Sequence, residues 1–342
     1  MNEKSITTIT LKKINKKSVY QYIYEHRQTA KQQIVQDLTM GLSTVSQNLN
    51  VLEKEGLISR DGFFESTGGR KAQVIQIVPE YRIAVGVGIL KNMFHLAAVN
   101  LYGEAIAEET VAVPFAQSDA YYDGIASSLE SFLDRNGYDR EKILGVSIAT
   151  QGIPAPDGES VLYGEILHNT DMKLADFSTR IPYPCRLEHD SKAAASLELW
   201  NHPEIESAVV FLLNRNLGGA VITNHKVHQG LSMHSGTLEH ICIDPEGPEC
   251  YCGQKGCLET YCSANALEAA AQMPVKEFFP ALRAGNDARL TEIWDAYLSH
   301  LAYAMKTANL LLDGAVIVSG YLAPYFKEED LSLIHISETT RH

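Results

Sequence analysis

Three runs in the first eighty residues repeat their apolar positions at helical spacing. From Ser18 the chain places Val19, Tyr22 and Ile23 on one face, and after a break at Gln28-Thr29-Ala30 the stretch Lys31 to Leu38 turns Ile34, Val35 and Leu38 inward. A turn at Met40-Gly41-Leu42 follows. Ser43 then stands as the N-cap of a third predicted helix, Thr44 to Glu55, with Val45, Leu49 and Leu52 on its apolar side and Thr44, Gln47 and Asn48 on the other. Two short helices across a Gly-containing turn follow the helix-turn-helix plan. Amides bond adenine edges and hydroxyls reach bases or phosphates, so Ser43, Thr44, Gln47 and Asn48 are candidate DNA contacts. Between Ser59 and Val78 two extended runs flank a glycine-rich tip that carries Arg70 and Lys71, a wing whose cations suit phosphates or a minor groove. A protein-interaction domain or a three-helix cap would share much of this pattern; the polar third helix and the basic wing together favour DNA.

After Pro79 the pattern changes to buried strands alternating with amphipathic helices. Strands are predicted at Ile83 to Leu90, Phe94 to Val99, Thr110 to Val113 and Ile143 to Ala149, with a helix over 119–136 that turns Ile125, Leu129, Phe132 and Leu133 to one side. Such alternation marks an α/β body. Ala288 to Leu312 reads as a long core-facing helix and Ala315 to Val318 as a last buried strand. The expected organisation is a winged helix-turn-helix over residues 1–79, α/β lobes over 80–190 and 191–327, and an irregular or truncated tail over 328–342.

Length agrees with this division, since 342 residues exceed one compact domain. No window approaches the roughly 20 apolar residues that span a bilayer, and the lysine-bearing N-terminus lacks a signal-peptide core, so the expectation is a cytoplasmic protein with no membrane partner. Charge is divided unevenly: residues 1–79 carry a net +4 and the remainder −17. Only the N-terminal region suits a polyanion.

The strongest chemical signal lies at His240, Cys250, Cys252 and Cys257. Three thiolates and an imidazole are the ligand set of a closed, four-coordinate structural zinc, with Gly253 and Gly256 letting the loop fold tightly. Ordinary thiols or disulfides are the alternative, although cysteines one residue apart pair poorly.

The segment Glu239-His240, nine residues, Cys250-x-Cys252-Gly-x-x-Gly-Cys257-x-Glu259 resembles the signature of the ROK family, bacterial sugar kinases and sugar-responsive transcription factors. The resemblance covers Tyr81 to about Leu322 and extends to the N-acetylglucosamine and xylose repressor group. It implies an actin-like two-lobe sugar-kinase-type fold with a ligand cleft. It also implies sugar-contacting roles for Asp190, in Glu188-His189-Asp190-Ser-Lys-Ala-Ala-Ala, for Glu259, and for His240 beside the metal. A carboxylate at Asp190 suits hydroxyl recognition, and Asp before an Ala-rich helix also serves as a cap.

The chain departs from the family at several places. His189 replaces an Asn and Thr237 a sugar-contacting carboxylate, while the kinase phosphate loops correspond to Gly86-Val-Gly-Ile-Leu90, Asn214-Arg-Asn-Leu-Gly-Gly-Ala220 and Ser319-Gly-Tyr321. Side chains stand where close backbone approach to phosphate needs glycine. The expectation is therefore a non-enzymatic regulator, with no catalytic residue. It would repress or activate carbohydrate-utilisation genes by binding a double-stranded operator as a homodimer or higher homo-oligomer under a sugar effector. A sugar kinase with an accessory DNA-binding domain, or a regulator controlled by a protein partner, are the other readings.

Overall fold

The computed structural model describes residues 8–65, 71–330 and 340–341. Three helices open the chain, α1 (Thr8–His26), α2 (Lys31–Asp37) and α3 (Leu42–Lys54), followed by the short antiparallel strands β1 (Ile58–Ser59) and β2 (Gln76–Ile77), with Ile58 opposite Ile77. Val19, Ile23, Ile34, Val45, Leu49 and Leu52 close a core between them. Two helix starts differ from the sequence reading. Helix α1 begins ten residues before Ser18, and Gly41 rather than Ser43 caps α3; Gly41 takes the extended backbone (φ −60°, ψ 141°) while Ser43 lies exposed in the first turn.

The chain divides into two compact units. The smaller comprises the chain up to Ile83 together with Val99–Glu104 and Arg140–Ile143; the larger comprises the rest. Val99–Glu104 belongs to the smaller unit because its side chains complete that unit's core. Tyr102 is buried among the helical residues and stacks 5.1 Å from Tyr24, and the Arg27 guanidinium sits 3.6 Å above the Tyr102 ring and bonds Glu104 at 2.8 Å. Asn100 shapes the turn, its Oδ1 accepting from the N–H groups of Tyr102 and Glu104 at 2.9 and 3.1 Å.

The larger unit holds two five-stranded sheets. The first contains β3 (Ile83–Ile89), β4 (Phe94–Val99), β5 (Ala105–Val111), β6 (Ile143–Thr150) and, after the small hairpin of β7 (Ile153–Pro154) and β8 (Val161–Tyr163), β9 (Cys185–His189), in the order β5-β4-β3-β6-β9. Helix α4 (Asp119–Arg135) buries Ile125, Leu129, Phe132 and Leu133 and lays Tyr121 edge-on to Phe94 of β4; the short α5 (Ala175–Ser178) packs Phe177 against Tyr122. Strand β5 spans Ala105–Val111 where the sequence predicted Thr110 to Val113, because its mostly half-exposed residues carry no clear alternation.

Helix α6 (Asp190–Asn201) leads into the second sheet, formed by β10 (Ala208–Leu213), β11 (Leu217–Thr223), β12 (Lys226–Val227), β13 (Ala315–Ser319) and β14 (Thr340–Arg341). Period-2 alternation sorts its two faces. Val209, Phe211, Leu213, Val316 and Val318 pack under α7 (Glu259–Cys262), α8 (Ala264–Ala271), α9 (Val275–Ala284) and α10 (Ala288–Leu312), whereas Ala208, Val210, Ala220, Ile222 and Ile317 meet Ala195 of α6. Residues 328–330 are helical rather than irregular, and the buried Asp330 accepts from Trp294 Nε1 at 2.8 Å and from Arg283 at 2.6 Å. The remainder of the predicted tail lies largely outside the described residues.

Candidate functional site

The sulfur and imidazole ligands converge. One ligand atom from each of His240, Cys250, Cys252 and Cys257 lies within 4.8 Å of every other. His240 Nδ1 is 3.8 Å from Cys250 Sγ, and Cys252 Sγ is 3.7 Å from Cys257 Sγ. The latter distance is far too long for a disulfide. It matches the edge of a thiolate tetrahedron, since metal–sulfur bonds of about 2.3 Å put sulfurs about 3.8 Å apart. Burial pushes the Cys250 and Cys257 thiols up and the His240 imidazole down, so the ring is neutral and able to ligate, and a cation is what would ionise the thiols. Backbone bonds hold the loop in register: Cys250 N donates to Gln254 O at 2.8 Å and Ile243 N to Gly256 O at 2.7 Å. Gly256 has φ +66°, and a Cβ there would stand 1.5 Å from the Asp244 carbonyl oxygen.

Beside this cluster is a pocket of about 170 Å³ whose wall includes His189, Asp190, Asn216, His234, Glu239 and His240. His240 therefore belongs to both the His/Cys cluster and the pocket wall. Asp190 is the first residue of α6, where a carboxylate favours the helix dipole; its Oδ1 accepts from Ser191 N at 2.7 Å, and His189 holds the N-cap position. Glu239 is buried, and Oε2 has no hydrogen-bond partner among the described residues; the same holds for His189 Nδ1. Burial above all, with Asp190 and Glu259 adding repulsion, pushes Glu239 up to about 8. Both residues are on the pocket wall, and a buried polar atom without a partner calls for water or a polar group beside it.

Glu259 does not line this pocket. Its carboxylate accepts from Asn216 Nδ2 at 2.8 Å and from Leu217 N at 2.6 Å, and burial pushes it up to about 7 while these bonds pull it back. It fixes the loop that presents Asn216. Thr237, also on the pocket wall, donates to the His234 carbonyl at 3.0 Å. Sequence reasoning missed Glu239 and Asn216 as pocket groups. Glu239 had a visible signal in its place beside His240, and Asn216 in its place within the loop Asn214–Ala220 that the resemblance sets at the cleft.

At two of the three loops compared with kinase phosphate loops, Asn214–Ala220 and Ser319–Tyr321, side chains pack on one another. Asn214 Oδ1 accepts from Tyr321 N at 2.8 Å, Arg215 pairs with Glu268 at 3.0 Å and lies 5.8 Å from the Tyr321 ring, and a Cβ on Gly218 would meet Ser191 Oγ at 2.1 Å.

In the smaller unit Gln47 is exposed on α3, Thr44 and Asn48 are half-buried, and the Asn48 amide donates to the Thr44 carbonyl at 2.9 Å. Lys71 is exposed; Arg70 lies outside the described residues.

The ROK family model matches residues 82–322. This chain belongs to the ROK family. Among its relatives, the DNA-binding transcriptional dual regulator NagC of Escherichia coli K12 is 25% identical over 263 residues, and a xylose repressor of Bacillus subtilis 23% over 273 residues. The matched regions take in 75% and 78% of this chain, and 64% and 70% of those relatives. The chain thus spans a little under two thirds of the length of NagC. A ROK family transcriptional regulator, homolog of the E. coli MLC protein, superposes with a TM-score of 0.74 at 19% identity over 97% of this chain and 89% of that one. A ROK family glucokinase from Streptomyces griseus in complex with glucose and AMPPNP gives 0.65 at 20% identity, over 76% and 92%. Both establish the fold, including its sugar-kinase-type α/β body.

Proposed function

We propose that this chain is a transcriptional repressor of carbohydrate-utilisation genes. Its N-terminal unit, a winged helix-turn-helix, reads an operator duplex, and a sugar or sugar derivative in the pocket beside the metal cluster controls that binding. The observation that carries the reading is a conjunction: a ROK body whose pocket wall holds His189, Asp190 and Glu239, with side chains packed along the loops at Asn214 and Tyr321, joined to a smaller unit built on α1 to α3. The relatives named as a transcriptional dual regulator and as a xylose repressor support it. Gln47 of α3 is the principal base reader, with Thr44 and Ser43 beside it; Lys71, and Arg70 outside the described residues, contact phosphates. Asn48 contributes less, because its amide already serves the helix.

In the pocket, Asp190 accepts sugar hydroxyls and Glu239 supplies the second carboxyl that Thr237 does not. The metal is a structural zinc held by His240, Cys250, Cys252 and Cys257, and when bound it ionises the thiols and cross-links the loop. With Nδ1 toward the sulfurs, His240 has Nε2–H left to donate into the pocket. Glu259 acts through Asn216 and Leu217. The effector must bind one conformation more tightly than another to change DNA affinity, and operator binding pairs two copies on two half-sites.

A thermal-shift panel of free sugars, phosphosugars and ATP tests this, followed by DNA anisotropy with duplexes selected from a random pool. One sugar class should raise the midpoint by several degrees and change duplex affinity at least tenfold, with ATP silent. Stabilisation by ATP with phosphate transfer to a hexose would replace the repressor with a kinase; sugar binding that left DNA affinity unchanged would remove the control mechanism.

A further inference from the structure

We propose that the N-terminal half of α1 is a phosphate-binding arm of the same DNA interface, with Lys12 and Lys13 gripping the backbone of the strand next to the bases that α3 reads. The inference rests on the DNA-binding reading and extends it to a segment whose sequence carries no helix-turn-helix signal.

Three observations converge on it. First, Lys12, Lys13, Lys16, Thr44 and Gln47 share the wall of one groove of about 340 Å³ between α1 and α3, and no acidic side chain lines it. The cations therefore stand beside the proposed base reader. Second, the arm is charged in a way that works against its own helix. Lys12 and Lys16, and Lys13 and Lys17, are like charges four apart, the first turn holds no acid, and the first acidic residue of α1 is Glu25. Like charges at this spacing repel. A polyanion alongside relieves this. Third, one of the four is already spent. Lys16 pairs with Glu55 at 2.6 Å and ties the arm to the end of α3, whereas Lys12 and Lys13 are exposed and pair with no described carboxylate. Exposed Leu11 and Val51 on the same wall offer an apolar surface for deoxyribose. The groove's charge and its place beside Gln47 favour a nucleic-acid strand over an apolar protein helix.

The experiment uses the full chain and two duplexes, one of random sequence and one selected from a random pool with the unaltered protein, each titrated across a salt series. The double variant Lys12→Gln, Lys13→Gln should bind both duplexes more weakly by the same factor. Its slope of log K against log salt should fall by about 1.8, at about 0.9 per lost phosphate contact. Lys12→Arg, Lys13→Arg should keep the slope. Helix content and unfolding midpoint of the glutamine variant should not fall, since removing like charges relieves α1. An unchanged slope overturns the arm, as does a changed preference between duplexes at constant slope, which would make the groove a base reader. An unaltered protein with no salt-dependent duplex binding would instead remove the repressor reading, and the arm with it. Capture of a defined apolar helix by the groove, with DNA binding unaffected by the lysine changes, would assign the surface to a protein.

Discussion

At the scale of the residue, Gly256 shows how closely the metal loop is built. Its φ of +66° and the Asp244 oxygen 1.5 Å from a would-be Cβ leave no room for a side chain. Gly256→Ala should cost about 1–3 kcal/mol from backbone strain alone, and more from the clash. We expect it to lower both metal content, measured by elemental analysis, and the denaturation midpoint. A variant that keeps one metal per chain at unchanged stability would show that the loop closes differently. His189 gives a pH signature. Its side chain is 11% exposed, and burial, reinforced by Lys192 against the pull of Asp190, holds its pKa below the ordinary 6.5. The unfolded chain binds this proton more readily. Stability is therefore whole above about 6.5 and lost as pH falls from there through the depressed value. His189→Gln should flatten that part of the stability profile, and an unchanged profile would place the acid sensitivity elsewhere. The His/Cys cluster that could hold a metal was legible from the sequence, because three of its members lie within eight residues and converge through a local loop. The task of Glu259 was not: its partners, Asn216 and Leu217, are more than forty residues away, and only the fold brings them together.

At the scale of the element, several helices whose apolar positions repeat were placed nearly to the residue. Helix α2 ends one residue before the predicted Leu38, and α10 runs from Ala288 to Leu312. Helix α9 was missed although Val275, Phe278, Phe279 and Leu282 repeat at helical spacing, its pattern being interrupted by Pro280. Other elements that escaped lacked the repeat. The half of α1 before Ser18 is lysine-rich and exposed over residues 10–14, and its helical state depends on continuity with the buried half. Strand β5, half-exposed on the edge of its sheet, likewise offered no alternation. The turn between β4 and β5 was invisible as a core element, yet Tyr102 is only 8% exposed. Tyr102→Ala should destabilise the smaller unit by about 3 kcal/mol, as large-to-small aromatic changes in cores do. Arg27→Ala should cost less, since it removes a stacked, partly solvated cation. Hydrogen exchange of α1 to α3 in the full chain would measure both, and unaltered protection in Tyr102→Ala would mean the ring is dispensable.

At the scale of the whole molecule, the order of elements and the cysteine motif were enough to expect a sugar-kinase-type α/β body, and the family match and superpositions bear that out. The pairing of strands was beyond the sequence, because β10 meets β13 across a hundred residues and the α7 to α10 layer. The uneven charge, +4 before Pro79 and −17 for the rest, belongs to this scale too. A charge so divided attracts a polyanion to the residues before Pro79 and repels it from the rest.

The segment Val99–Glu104 bears on how the smaller unit can be moved between proteins. A chimera that transplants residues 1–83 onto a different α/β body leaves Tyr102 behind, and with it the ring that covers Tyr24 and carries Arg27. The graft then arrives with an open core. A recipient whose own hairpin supplies an aromatic residue at that position closes it, so a six-residue loop acts as a compatibility key for the exchange.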